Sequence, residues 1–335
     1  DAMGGDQGPL VTVKAVIAFL TEYSDIEILL VGSQEACEFF STVCSCPNIK
    51  SRVELVLCAA KVDDSEKPTI ALRNKRDSSM ARVIESVASG SAHACVSAGN
   101  TGTIMSFGTQ ILKTLPGITR PAICASLPTL NGSTLALDLG ANLECSAEQL
   151  HQFAQLGSLA AQCLYKTDNP SLRLLNIGVE HIKGTSLIRE AAERISQDDK
   201  INYCGFIEPN QIFHGNVDVI VCDGISGNIA LKTSEGVAEI IAELYQNMFD
   251  RNWVSRLGAS FFRGSVAALS RTINPSDHNG AVFLGLGGVV IKSHGCADMN
   301  SFRKALVTAK KVLDQKVFPT LQRSLMTQFA ATTKS

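Results

Sequence analysis

What this chain lacks narrows its possible roles before any motif is considered. No apolar run approaches the roughly 18 residues that a membrane-crossing helix needs, and no charged-then-apolar leader opens the sequence. Export through a signal and a bilayer-spanning helix are therefore not expected. The eleven cysteines include no CxxC pair, with Cys44 and Cys46 the only close couple, and no histidine stands at ligand spacing. Most of the cysteines fall in apolar runs, so the expectation is reduced core thiols in a cytoplasmic protein, with neither a disulfide frame nor a metal site. The phosphate-loop pattern GxxxxGK[ST], the nucleophile elbow GxSxG and a GxGxxG with an acidic residue about 20 positions later are all missing. No cofactor is called for. A formal net charge of −2 offers no global attraction for nucleic acid. Short-period repeats, low-complexity segments and evident linkers are absent too.

The 335 residues are 45% apolar, enough for a real core in one large or two ordinary domains. The chain reads as one bilobal α/β unit over 1–335, with 237–275 a helical segment suited to a membrane or a partner and 327–335 a frayed polar tail. Its organising stretch is Val219 to Gly236, VIVCDGISGNIALKTSEG. Val219 to Cys222 form a short β-branched run typical of a strand covered on both faces, Asp223-Gly224 stops it, and a helical pattern begins near Ile229. A carboxylate at a strand's carboxyl end and free helix-start N–H groups suit chemistry on an anion, with Lys232 one turn beyond Asn228. A plain strand-to-helix turn capped by Asp223 explains the same residues equally well.

The design recurs. Strand Ala94 to Ser97 leads through Gly99, Asn100, Thr101 and Gly102 into a helix, and the opening DAMGGDQGPL places Gly4, Gly5 and Asp6 before Pro9 at a helix start. Strands Ala122 to Leu127 and Ser133 to Leu137 form a hairpin-like antiparallel feature, entered after Arg120 and left through Asp138, Gly140 and Asn142. Basic residues Arg73, Lys75 and Arg76 precede a Ser-capped helix from Met80 to Ser89. From Arg251 to Ile273, Arg251, Arg256, Arg263 and Arg271 alternate with Trp253, Leu257, Phe261 and Phe262 at near-helical spacing, without an acidic residue. An anionic membrane surface, a carrier protein and a helix packed on a neighbour or a second subunit all fit that pattern. A last helix is expected near Asp298 to Phe318.

Taken together, DAMGGDQGP, RDSSM, SAGNTG, RPA with LP, LDLGAN, NIG with IKG, VCDGISGNIALKTSEG and LGLGGVVIKSHG resemble, in order, the PlsX-type acyl-ACP:phosphate acyltransferases of bacterial phospholipid synthesis. The resemblance implies a doubly wound three-layer α/β/α fold like that of isocitrate and isopropylmalate dehydrogenases, with a mostly parallel sheet. It implies a homodimer in the cytoplasm, peripheral on the inner face of the membrane, with acyl carrier protein and inorganic phosphate as partners and a glycerol-3-phosphate acyltransferase downstream. The segment with Asp223 and Gly227-Asn228 also resembles phosphotransacetylases. Three departures stand out: Gln7 replaces a frequent histidine, Val179 and His181 flank Glu180 where acidic residues are common, and the strand expected before Asp1 is absent from the sequence.

The implied reaction needs a phosphate held against a thioester carbonyl, a stabilised oxyanion and a thiol helped to leave. On that basis Asn100, Thr101, Gly102 and Arg120 are assigned to phosphate, Asn228 to orientation, and Asp223 to proton exchange with sulfur. Lys183 and His294 are further catalytic candidates. Gly4, Gly5, Asp6, Asp138, Asn142, Gly227 and Lys232 complete the substrate-binding set, and Arg251, Trp253, Arg256, Phe261, Phe262 and Arg263 the membrane or carrier contact. The rivals are a short-chain phosphotransacetylase using acyl-CoA, a nicotinamide-dependent dehydrogenase of the same fold, and a non-catalytic membrane scaffold for lipid enzymes.

Overall fold

A computed structural model of the chain describes residues 1–250 and 279–332. Eight strands form the main sheet in the order β3-β10-β9-β4-β5-β8-β6-β7, and β1 (Ile28–Gly32) pairs in parallel with β2 (Val53–Leu57) as a separate ribbon. In the main sheet β3 is Ala94–Ser97, β4 Ala122–Thr129, β5 Gly132–Leu137, β6 Ser171–Leu175, β7 Asn202–Ile207, β8 Val219–Val221, β9 Ala281–Leu284 and β10 Val289–Lys292. β10 runs parallel to β3, while β5, β8, β6 and β7 are mutually parallel. Antiparallel pairings of β9 with β10 and with β4, and of β4 with β5, lie between these groups. The two parallel groups consequently point in opposite directions, and the row Leu137–Cys124–Val282–Ile291 brings the carboxyl ends of β5 and β10 to the same level of the sheet.

The sheet is buried on both faces because its strands alternate apolar residues with period two. Along β8, Val219 and Val221 enter one core while Ile220 and Cys222 enter the other, and β5 divides Leu135 and Leu137 from Ala136 in the same way. Helices α1 (Pro9–Glu22), α7 (Ala147–Tyr165), α8 (Ser186–Ser196) and α10 (Met299–Asp314) supply the first core. The second core takes α5 (Ser79–Ala88), α6 (Thr101–Ile111) and the inner face of α9 (Gly224–Asp250). This is a three-layer α/β/α arrangement. The remaining helices are α2 (Gln34–Val43), α3 (Pro47–Lys50), α4 (Pro68–Asn74) and α11 (Val317–Thr332).

Local chemistry explains most boundaries. Ser33, Ser78, Thr185 and Asp298 each cap a helix through a side-chain oxygen, and Ser146 with Gln149 forms a reciprocal capping box at α7. The expected antiparallel hairpin is present, Cys124 facing Leu137 and Thr129 facing Gly132. Two expectations are corrected. The last helix is two helices, because Lys316 adopts φ 53° between them. The segment expected to fray from 327 is helical to Thr332, since Val317, Leu321 and Leu325 recur every four residues and are buried. Among the described residues no helix is long and apolar enough to cross a membrane.

Candidate active site

At the carboxyl ends of β3 and β10 three backbone turns close on one another. The Gly5 φ of +82° carries the opening loop against Gly295, where an added Cβ would meet the Gly295 oxygen at 2.9 Å, and the Asp6 N–H donates to that same carbonyl. From β10, the half-buried Lys292 ammonium donates to the carbonyls of Ala98 at 3.0 Å and Gly99 at 2.5 Å, fixing the turn that starts α6. Asn100 caps that helix by accepting from the Thr103 N–H at 3.1 Å, and its amide donates to the Asp64 carbonyl. The N–H groups of Thr101 and Gly102 have no acceptor among the described residues. Open helix-start donors of this kind favour an anion.

Side chains from α9 and the loop after β10 complete this end of the site. Lys232 Nζ lies 2.7 Å from His294 Nε2 and 2.6 Å from Glu235 Oε2. An ammonium has only hydrogens to offer, so Nε2 accepts from Lys232, while Cys296 lies against Nδ1 with its N–H at 3.4 Å and its sulfur at 3.0 Å. Burial and then the adjacent Lys232 charge hold the His294 pKa below the ordinary imidazole range, which keeps the ring neutral at pH 7. Burial likewise lowers Lys292 to about 8, with Lys232 adding repulsion and Asp64 and Asp6 opposing it.

A second cluster occupies the carboxyl ends of β5 and β8, in the same row of the sheet as the end of β10. Asp138 is fully buried, and its carboxylate accepts N–H groups of Ile123, Gly140, Ala141 and Asn142 together with the Asn142 amide. Its oxygens are consumed by its own loop, so Asp138 shapes that loop and leaves no lone pair aimed at a substrate. Asn142, also buried, donates to the Pro121 carbonyl and accepts from Arg120 Nε at 2.7 Å. The asparagine positions Arg120, whose guanidinium is otherwise exposed. Asp223 accepts from the Ser226 N–H at 2.8 Å and its hydroxyl at 2.7 Å, the geometry of a helix cap. Its half-exposed carboxylate retains further acceptor positions.

The start of α9 departs from expectation. The helix begins at Gly224, five residues before Ile229, so Gly227 and Asn228 are inside its first turns. The Gly227 N–H is bonded to the Asp223 carbonyl and the Gly224 N–H to the Asn142 carbonyl, leaving no free donor at Gly227 for an oxyanion. Gly227 is required for another reason: any side chain there would strike the Asp138 oxygen. The two clusters are joined by α9 itself. It folds back along the sheet from β8, and Asn228 and Lys232, four residues apart, share one face. From Gly224 to Lys232 the rise is about 12 Å. Arg120, which sequence grouped with Asn100, Thr101 and Gly102, thus belongs to the far end with Asn142 and Asp223. Exposed Lys183 stands on the loop after β6, and its ammonium forms no hydrogen bond among the described residues.

Residues 1–319 match the model of a family described as "Fatty acid synthesis protein". A phosphate acyltransferase of Halorhodospira halophila is 44% identical over 317 residues, covering 95% of this chain and 92% of that protein. One from Nitrosococcus oceani is 44% identical over 321 residues, covering 95% and 94%. The chain belongs to this family. Among solved structures, a branched-chain phosphotransacylase from Enterococcus faecalis superimposes with a TM-score of 0.54 at 14% identity, covering 93% of this chain and 97% of that one. A phosphotransacetylase from Streptococcus pyogenes gives 0.52 at 15% identity, covering 90% and 99%. At such identities the likeness concerns the fold.

For this member of the phosphate acyltransferase family, sequence reasoning overlooked two residues of this cluster. Lys292 stands in the LGLGGVVIKSHG motif with no role of its own, and its clamp on the Ala98 and Gly99 carbonyls depends on β10 pairing with β3. Cys296 was not read in a Cys-His context, yet its sulfur contacts the His294 ring two residues away through the turn at Gly295. The contact candidates Arg251, Trp253, Arg256, Phe261, Phe262 and Arg263 lie outside the described residues.

Proposed function

We propose that the chain transfers a long-chain acyl group from the phosphopantetheine sulfur of acyl carrier protein to inorganic phosphate. The observation that carries this reading is the order of groups along α9: Lys232 with His294 at one end, Asn228 one turn away, Asp223 at the other end. Along the axis Asn228 and Lys232 are about 6 Å apart, and Asp223 and Asn228 about 7.5 Å. That spacing suits a phosphate at the cationic end, the thioester carbonyl beside Asn228 and the departing sulfur beside Asp223.

In this reading the open N–H groups of Thr101 and Gly102, the loop of Gly4, Gly5 and Asp6, and Lys232 hold the phosphate, and Lys292 adds positive charge behind it. Neutral His294 orients Lys232. A phosphate oxygen attacks the carbonyl carbon, the oxyanion forms near the Asn228 amide, and the carbon–sulfur bond breaks. Hydrogen phosphate sheds one proton and the thiolate gains one, so acyl phosphate and free thiol are produced in balance. Asp223 exchanges the proton with sulfur. Arg120, held by Asn142, and Lys183 stand on the sulfur side and are assigned to the carrier's phosphopantetheine. Association as a homodimer, contact with the inner membrane face through 251–273 and delivery of the product to a glycerol-3-phosphate acyltransferase belong to the same proposal.

The test is incubation with palmitoyl carrier protein with and without phosphate, reading free thiol and hydroxylamine-trappable acyl phosphate. Phosphate-dependent release of both is expected. Activity with acetyl-CoA but not with the carrier thioester would replace this reading by a short-chain phosphotransacetylase.

A further inference from the structure

Resting on the acyl-transfer reading above, we propose that Asn279 is a positioning residue of the phosphate end, its side-chain amide fixing the turn that sets His294 against Lys232. It stands two residues before β9, outside all of the motifs that resemble the family. Strand pairing puts it within reach of the site. β9 and β10 are antiparallel with Ala281 facing Lys292, so the same register two residues on brings Asn279 opposite His294. The backbone ladder does not extend to that level. Gly280, at φ 111°, turns the chain onto α10, where an added Cβ would meet Thr308 Oγ1 at 2.8 Å and Ala305 Cα at 2.9 Å.

The asparagine side chain takes the place of the missing rung. Its Oδ1 accepts the His294 N–H at 3.0 Å, and its Nδ2 donates to the Ser293 hydroxyl at 2.8 Å and to the Ser301 carbonyl at 2.9 Å. Both amide hydrogens and the amide oxygen are thus engaged. An aspartate, with no hydrogen to give, does not reproduce that set. The partners tie separate elements together: Ser301 lies in the first turn of α10, and the fully buried Ser293 follows β10 with its N–H on the Ser97 carbonyl of β3.

Residues 292–295 each hold one part of the phosphate end. Lys292 holds the carbonyls of Ala98 and Gly99, Ser293 the end of β3, His294 the Lys232 ammonium, and Gly295 the Asp6 N–H. In that run His294 alone makes its contact through the tip of a half-exposed side chain. Its ring nitrogen lies far from the backbone, so a small tilt of the chain at His294 carries Nε2 out of the 2.7 Å contact with Lys232. The Asn279 amide, pinned to Ser293 and Ser301, is what prevents that tilt. It acts through His294 and not on the substrate.

The experiment compares wild type with Asn279→Ala, and with Thr308→Val as a control that alters a contact to the Asn279 backbone but leaves its amide alone. Phosphate KM, carrier-thioester KM and kcat are measured beside an NMR titration of the His294 ring, which faces Lys232, Glu235, Lys292 and Asp6. In Asn279→Ala the phosphate KM is expected to rise about tenfold, the scale of one lost hydrogen bond, with thioester KM and kcat within about twofold of wild type. The His294 titration is expected to move up toward the ordinary imidazole range, because the ring leaves its buried position and the Lys232 charge. The control should move neither reading. An asparagine that merely braces β9 on α10 would lower Tm and kcat with phosphate KM and the titration unmoved; that result would overturn the proposal, as would an equal shift in the control. Should Asn279→Ala not fold, Ser293→Ala removes one partner of the amide and is expected to move the same two readings by less, and no movement there would also overturn it. Wild type that releases no thiol in a phosphate-dependent way would defeat the underlying reading, while the titration still judges whether Asn279 sets the contact between His294 and Lys232.

Discussion

Both the turn after β3 and the turn after β8 leave a buried strand, pass through glycine and open a helix, yet Asn100 caps the first and Asp223 the second. At α6 the cap is neutral, the N–H groups of Thr101 and Gly102 stay open, and an ammonium lies beneath the turn. At α9 the cap is a carboxylate, and the Asn142 carbonyl takes the first helical N–H. One turn is prepared to receive an anion and the other already contains one. Two copies of one backbone device can therefore serve opposite steps of a reaction, depending on a single cap residue and on what neighbouring strands bring to it.

Exchanging the caps is the sharpest way to break this comparison. Asn and Asp cap helices about equally well, so fold effects are small and charge effects are isolated. Asp223→Asn is expected to lower kcat by about 10²- to 10⁴-fold with Tm nearly unchanged. Near-normal turnover would remove Asp223 from proton transfer. Asn100→Asp places a carboxylate where phosphate is to be held and is expected to raise the KM for phosphate about tenfold, roughly 1.4 kcal/mol, with kcat moved less. A variant whose phosphate KM stays at the wild-type value would show that the anion binds elsewhere.

A smaller effect concerns pH. Lys292 has a pKa of about 8, so its charge fades as pH rises from 7 to 9, and phosphate KM is expected to rise several-fold over that interval. Stability grows as phosphate affinity is lost. The unfolded chain, with a lysine pKa near 10.4, binds more protons than the folded one between about 8 and 10.4, so unfolding free energy increases with pH across that window. Phosphate KM and Tm measured together from pH 7 to 9 should both rise, and Lys292→Met should flatten both trends. A phosphate KM that stays constant while Tm rises would contradict the assignment of Lys292 to the phosphate end.

Much of this architecture was legible in the chain because local signals agreed. The α7 boundaries follow from the Ser146 capping box, and the hairpin from Asn131-Gly132 between two alternating runs. The early start of α9 was hidden because Gly224 and Gly227 read as helix breakers, whereas contact with the Asn142 and Asp138 backbone excludes any side chain at either position. The division of the site into two ends was hidden for a different reason. Strand direction is decided by pairing between distant segments, and nothing local to Arg120 or Asn100 reports that β4 and β9 reverse the sheet between them. Cys296 and His294 meet through a turn whose shape depends on Gly5 approaching Gly295.

The helix that joins the two ends also limits how the chain can vary. Because α9 advances 100° and 1.5 Å with each residue, one residue inserted between Asn228 and Lys232 would swing the lysine about a quarter turn from His294 and the glycine loop. Insertions in the loop between β1 and α2 would leave the relative placement of Asn228 and Lys232 untouched. Here the spacing of the groups proposed to hold the substrate is kept by residue count within a single helix, so the residues between them should tolerate substitution far better than any change in length.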